Sequence, residues 1–123
     1  MKWDHAGIKA RDMQASLDFY INKLGLRQLE IITLFGTDFY FVGNDNIRIE
    51  IEPCKPDDTQ AAMDSMSGLY HMALNVDDIE GLAARLQEHG VKFRLPVSQF
   101  RPDRKIAFIE DPDGTIIQLI QYL

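Results

Sequence analysis

Cysteine is almost absent: Cys54 is the only one in 123 residues. A single thiol allows no internal disulfide and no cysteine-rich zinc site. Long apolar runs are missing too, and none approaches the ~20 residues that cross a bilayer. The opening "MKWDHAG" lacks the apolar segment of a signal peptide, so the expectation is a cytoplasmic protein with no membrane partner. Positive charge is scarce. Lys and Arg number 13 against 19 Asp and Glu, and a net charge of -6 repels a polyanion, which argues against a nucleic-acid partner. The basic residues do gather once, as Arg101, Arg104 and Lys105 in "FRPDRK", where they form either a site for an anionic small molecule or a solvated loop at a sheet edge. The chain is otherwise 46% hydrophobic and 26% charged, the balance of an ordinary globular protein, and long enough for one domain with a real core.

What is there is a histidine in each of two similar settings. His71 interrupts the apolar run of "GLYHMALNVDD", and His5 stands likewise in "WDHAGIKARD". The similarity extends along the chain. Asp12 follows His5 by seven residues and Asp78 follows His71 by seven; Gly25 follows His5 by 20 and Gly90 follows His71 by 19, so one residue separates the copies in length. Each copy reads as a strand, an acidic cap, a helix, a glycine stop and three more strands. The first helix places Met13, Leu17, Tyr20, Ile21 and Leu24 on one face, and the second places Ile79, Leu82, Ala83 and Leu86. Asp77 and Glu80 stand at capping-box spacing. The later strands are "LRQLEIIT", "TDFYFVG" and "IRIEIE" in the first copy, and "VKFRLP", "KIAFIE" and "TIIQLIQ" in the second. The turn "DPDG" has "GNDN" as its counterpart. The reading is therefore one α+β domain over 1–123 built of two βαβββ modules, about 1–53 and 68–123. A linker spans about 54–67, with a short helix possible at "TQAAMDSM".

Strand alternation decides which side chains share a face. Trp3, His5, Gly7 and Lys9 fall together, as do Leu69, His71, Ala73 and Asn75; in both copies the histidine points away from the helix and a small residue follows it by two. In "IRIEIE" the isoleucines take the helix side and Arg48, Glu50 and Glu52 the other; in "TIIQLIQ" Gln118 reads as a buried amide. Taken singly, each polar residue is more often a packed imidazole, a solvated edge or a backbone-bonded amide. Taken together, two imidazoles, a carboxylate and an amide oxygen on one concave face suit a borderline divalent ion.

These residues also carry a family likeness over the whole length. "DHAGIKARDMQASLDFYINKLGL", "YHMALNVDDIEGLAARLQEHGV" and "IAFIEDPDGTIIQLIQ" stand in the order of the vicinal oxygen chelate superfamily, which takes in glyoxalases, bleomycin-resistance proteins and extradiol dioxygenases. The chain most resembles the bacterial glyoxalase I (lactoylglutathione lyase) group. The resemblance implies paired βαβββ modules cupped around a metal with helices outside, and His5, Glu50, His71 and Gln118 as ligands of nickel, cobalt, zinc or manganese. It implies a lyase or isomerase that passes through a metal-stabilised enediolate of a hemithioacetal or related substrate, and a homodimer. Glu50, the one carboxylate among those ligands, takes the proton-shuttle role, with Glu52 in reserve. Two departures from the group are Gln118, where glutamate is usual, and Lys9 and Cys54, where an arginine and an asparagine bind glutathione. Lys9 and Arg101 are the candidates to hold a substrate carboxylate. The other readings are a metal-free drug-binding module, an epimerase and an extradiol dioxygenase.

Overall fold

Strand and helix spacing sort the chain into two units of the same topology, Met1–Thr59 and Gln60–Leu123. The structure is a computed structural model that describes residues 1–60 and 67–123. The boundary falls inside the segment read as a linker; the helix considered at 59–66 lies largely outside the described residues.

The first unit runs β1 (Ala6–Ala10), α1 (Met13–Leu17), a π-helical continuation Asp18–Lys23, β2 (Arg27–Leu34), β3 (Thr37–Gly43) and β4 (Arg48–Pro53). Its sheet order is β1-β4-β3-β2, with β1 and β4 parallel and the rest antiparallel. The second unit runs β5 (Met72–Asn75), α2 (Ile79–Glu88), β6 (Lys92–Arg101), β7 (Arg104–Glu110) and β8 (Ile116–Tyr122). Its order is β5-β8-β7-β6, again with one parallel pair, β5 with β8. Two four-stranded mixed sheets with few helices make an α+β fold.

Alternation builds the core of each sheet. Ile49 and Ile51 are buried on the helix side of β4, as Ile117 and Leu119 are in β8. Ile79, Leu82, Ala83 and Leu86 bury the expected face of α2, which packs on β6, β7 and β8. The cap of α2 is Asp78, whose carboxylate accepts from the Gly81 N–H at 2.9 Å; Asp77 is not the cap, because the chain turns helical one residue later than the capping-box spacing implies. Asp12 caps α1 in the same way, accepting from the Ala15 N–H.

The first helix departs from expectation. Ser16, Phe19 and Tyr20 are its buried residues, while Met13, Leu17, Ile21 and Leu24 are half-buried. The cause is the π-helical segment, in which the Leu24 N–H reaches back five residues to the Phe19 carbonyl at 2.9 Å. A π turn accommodates one extra residue and rotates the following side chains relative to an α-helix. The first copy has one residue more than the second between histidine and glycine, and this is where it is housed.

Two strand expectations also shift. His5 and His71 do not lie within strands but immediately before β1 and β5, because the ladders begin at Ala6↔Ile49 and Met72↔Ile117. The run around His71 is not a buried strand: β5 is a sheet edge, Met72 and Leu74 are half-buried, and Leu69 is exposed outside it. The turns match between units. Asn44 Oδ1 accepts from the Asn46 and Ile47 N–H groups, and Asp111 Oδ1 accepts from those of Asp113 and Thr115. Gly43 precedes the first of these turns because a Cβ there would collide with the Ile47 carbonyl oxygen.

Candidate metal centre

In the first unit the register lines up one row of side chains across the sheet. Glu30 of β2 pairs with Phe41 of β3, Phe41 with Glu50 of β4, and Glu50 with Gly7 of β1. His5, two residues before Gly7, falls on the same face. Its Nε2 lies 3.2 Å from Glu50 Oε2, and its Nδ1 lies 2.6 Å from Asp4 Oδ1. The ring stands edge-on to Phe41, with centroids 5.5 Å apart. A Cβ on Gly7 would stand 3.6 Å from Glu50 Oε2, an ordinary van der Waals contact, and the equivalent position in the second unit is Ala73. The hydrogen bond to Asp4 raises the His5 pKa above its ordinary value, and the charge of Glu50 adds to this against partial desolvation. The same bond lowers that of Asp4.

Glu52 is differently engaged. It faces Lys9 in the ladder, and Lys9 Nζ lies 3.8 Å from Glu52 Oε1 and 2.8 Å from Asp58 Oδ2. Lys9 is thus held between two carboxylates, and the hydrogen bond to Asp58 raises its pKa. Of the two strand glutamates, Glu50 is the one beside a histidine.

The second unit repeats the row with other residues. Leu95 pairs with Phe108, Phe108 with Gln118, and Gln118 with Ala73. His71, two residues before Ala73, stands edge-on to Phe108 at 5.6 Å and to Tyr70 at 4.5 Å. Its Nδ1 is buried and has no hydrogen-bond partner among the described residues. Gln118 is half-buried rather than buried as read from the sequence, because the alternate face of β8 is covered only in part.

Arg101 lies at the end of β6 with its side chain exposed, and its Nε is 3.3 Å from Asp103 Oδ1. Arg104 shares the same carboxylate at 2.6 Å, and the two arginines hold the Asp103 pKa down at about 2, the Arg104 hydrogen bond contributing most. Lys105, one residue on, bonds to Glu80 of α2 at 2.9 Å. Alternation therefore divides the "FRPDRK" cluster, and each of its cations has a carboxylate partner.

The sequence reading missed Phe41 and Phe108, the rings against which both histidines are set, and it missed Glu30. Phe41 and Phe108 stand two residues before Gly43 and Glu110, the last residues of β3 and β7, so aligning the copies strand by strand finds them. Glu30 could not be found that way. A bulge between Gln28 and Glu30 turns it, rather than Leu29, into the row with Phe41, and an equivalent bulge lies between Phe93 and Leu95.

The donor set can be tested against a divalent ion. Two ligand atoms each ~2.1 Å from one ion stand ~3.0 Å apart at a right angle and ~3.4 Å apart at a tetrahedral angle. His5 Nε2 and Glu50 Oε2, at 3.2 Å, match that spacing. Imidazole and carboxylate are apt donors for a borderline cation, and the unpartnered His71 Nδ1 shows an imidazole not committed to a hydrogen-bonding role there. Among the described residues no group of three or more His, Cys, Asp or Glu side chains is arranged to hold a metal ion, so the preformed part of the donor set is the His5–Glu50 pair.

Comparison with known proteins supplies the family. Residues 2–119 match the model of the Glyoxalase/Bleomycin resistance protein/Dioxygenase superfamily. A protein of Synechocystis sp. named "Probable lactoylglutathione lyase" is 34% identical over 124 residues, covering 95% of this chain and 92% of that protein. The lactoylglutathione lyase of Neisseria meningitidis serogroup A is 29% identical over 126 residues, covering 98% and 91%. A glyoxalase family protein from Bacillus cereus superposes with a TM-score of 0.84 at 18% identity over 100% of this chain and 95% of the other, a likeness of fold. With the family model matched over nearly its whole length, this chain belongs to the Glyoxalase/Bleomycin resistance protein/Dioxygenase superfamily.

Proposed function

We propose that the protein is a metal-dependent lyase or isomerase of the glyoxalase I type, acting on a hemithioacetal or a related small molecule with two neighbouring oxygens. The observation that carries this reading is the His5–Glu50 pair at 3.2 Å, answered in the second unit by His71 and Gln118 at equivalent register positions. His5, Glu50, His71 and Gln118 would hold a nickel, cobalt, zinc or manganese ion. When bound, the ion supplies Lewis-acid stabilisation of negative charge on the two substrate oxygens.

The chain's own residues supply the rest. Glu50 is the general base: its carboxylate takes the proton from the carbon bearing the thioether sulfur and the hydroxyl group and returns it to the neighbouring carbonyl carbon, while the hydroxyl proton passes to the carbonyl oxygen, so that the product is a 2-hydroxy thioester. Asp4 orients His5 by accepting at Nδ1, which leaves Nε2 as the ligating nitrogen. Phe41 and Phe108 fix the planes of the two imidazoles. Glu52 is set apart from this work by its engagement with Lys9. Gln118 contributes an amide oxygen and cannot act as a base. Lys9 and Arg101 remain the residues proposed for a substrate carboxylate, Lys9 after release from Asp58 and Glu52 and Arg101 after release from Asp103. The enzyme is proposed to work in the cytoplasm as a homodimer.

The test is turnover of the methylglyoxal–glutathione and methylglyoxal–2-mercaptoethanol hemithioacetals, followed by thioester absorbance with each of the four metals. Wild type should turn over at least one of them. Glu50→Gln should lose about 10²–10⁴-fold in kcat, and Glu52→Gln should keep wild-type kcat. Loss confined to Glu52→Gln would place the base two residues later.

A further inference from the structure

We propose that Arg48 is a substrate-binding residue that selects substrates carrying a carboxylate or similar anionic group, and that Glu30 positions it. The inference rests on the lyase reading above for the word substrate, but the anion site itself does not depend on it. Arg48 lies on the same face of β4 as Glu50, two residues before it, and one register step from the pair formed by Ile49 and Ala6, beside His5. Its guanidinium carbon sits 4.3 Å from the centre of the Phe41 ring, the same ring that His5 meets edge-on. Stacking of this kind fixes the plane of the guanidinium while leaving its edge free to recognise a carboxylate. One terminal nitrogen is taken by Glu30. The Nε is buried and has no partner among the described residues, so the fork of donors is only partly used.

The comparison between units isolates this feature. Gly43 pairs with Arg48 where Glu110 pairs with Ile116, and Glu30 pairs with Phe41 where Leu95 pairs with Phe108. The first unit thus has a Glu–Arg pair at the positions where the second has Leu and Ile. The two histidines and the two phenylalanines recur, and the ionic pair does not. A fold that closes with Leu and Ile at these positions does not need the ion pair for packing, which leaves recognition as its use. Lys9, the nearer expectation for an anion, is already held by both Asp58 and Glu52.

The double variant Glu30→Leu/Arg48→Ile installs the second unit's own pair and so keeps the row filled with residues the topology accepts. Two hemithioacetals of methylglyoxal serve as substrates, one formed with mercaptoacetate and one with 2-mercaptoethanol. A readout independent of turnover is the Arg48 Nε–Hε NMR signal titrated with methylthioacetate or, as the neutral control, 2-(methylthio)ethanol. Wild type should favour the mercaptoacetate adduct in kcat/KM by about tenfold or more, through KM, and the double variant should lose that preference with kcat retained. Methylthioacetate should shift the Arg48 signal and 2-(methylthio)ethanol should not. Arg48→Lys, which keeps the charge but not the planar fork, should recover part of the preference. Equal KM for the two adducts, or an Arg48 signal that answers neither or both probes alike, overturns the proposal while leaving the lyase reading standing. A selective NMR response without turnover of any adduct supports the anion site and sinks the lyase reading instead.

Discussion

Glu50 and Glu52 share a strand face, two residues apart, and what separates them is what each touches. One stands by a histidine whose other nitrogen is held by Asp4, and the other by a lysine shared with Asp58. Face alternation at Glu50 and Gln118 was legible in the sequence because period two is a local property of "IRIEIE" and "TIIQLIQ", whereas His5 and His71 were read as strand residues and lie just before their strands. Partners were not legible, because Asp58 and Asp103 reach Lys9 and Arg101 from loops, and Glu52 meets Lys9 only through the pairing of β1 with β4. Gln118 gives the sharpest test at this scale. If its amide faces the ion, Gln118→Glu adds a charged oxygen ligand and should tighten divalent-ion binding by about an order of magnitude in calorimetric titration. Weaker binding in that variant would mean that the side chain at 118 serves the sheet instead.

The helices and strands show where pattern reading reaches and where it stops. The repeat located every strand, since each copy checks the other, yet the one-residue difference between copies pointed only to a deletion and not to a π-helical segment. Periodicity assumes 3.6 residues per turn, and the reading of the first helix face was displaced when that assumption failed at Asp18–Lys23. Removing Asn22, an exposed residue of that segment, should let the helix relax to α geometry and leave stability within about 1–2 kcal/mol of wild type. Removing Ala84 from α2, which has no surplus residue, should displace Leu86 from the core and cost several times as much; denaturant melts of the two deletions compare them directly. β7 ends in a buried carboxylate. Glu110 is buried at the strand's end, which works to raise its pKa, but hydrogen bonds from Lys92 and Arg94 outweigh burial and hold it below the ordinary value. A lowered folded-state pKa stabilises the fold at any pH above the unfolded value and ceases to do so as pH falls through the folded value. Glu110→Gln should therefore be less stable than wild type by about 1–2 kcal/mol at neutral pH. That gap should close on acidification below about pH 4.5, the ordinary value of the group, as thermal melts across pH would read.

At the scale of the whole molecule, duplication explains both the fold and the candidate site. Two copies of one βαβββ unit present the same four positions, occupied by His5, Phe41, Glu50 and Gly7 in one and by His71, Phe108, Gln118 and Ala73 in the other. Fold and family followed from the repeated pattern; the proposed chemistry rests on where the copies have diverged, at Glu50 against Gln118 and at Arg48 against Ile116. If the chain holds a catalytic divalent ion as proposed, its metal content reports it. Protein purified without chelator, then equilibrated separately with nickel, cobalt, zinc and manganese and desalted, should retain about one ion per chain for at least one of them by elemental analysis. His71→Ala should reduce the affinity more than about 100-fold, beyond the effect of losing a supporting contact. A wild-type protein that retains none of the four ions would not be a metal-dependent lyase, and a metal-free small-molecule binding module would take that reading's place.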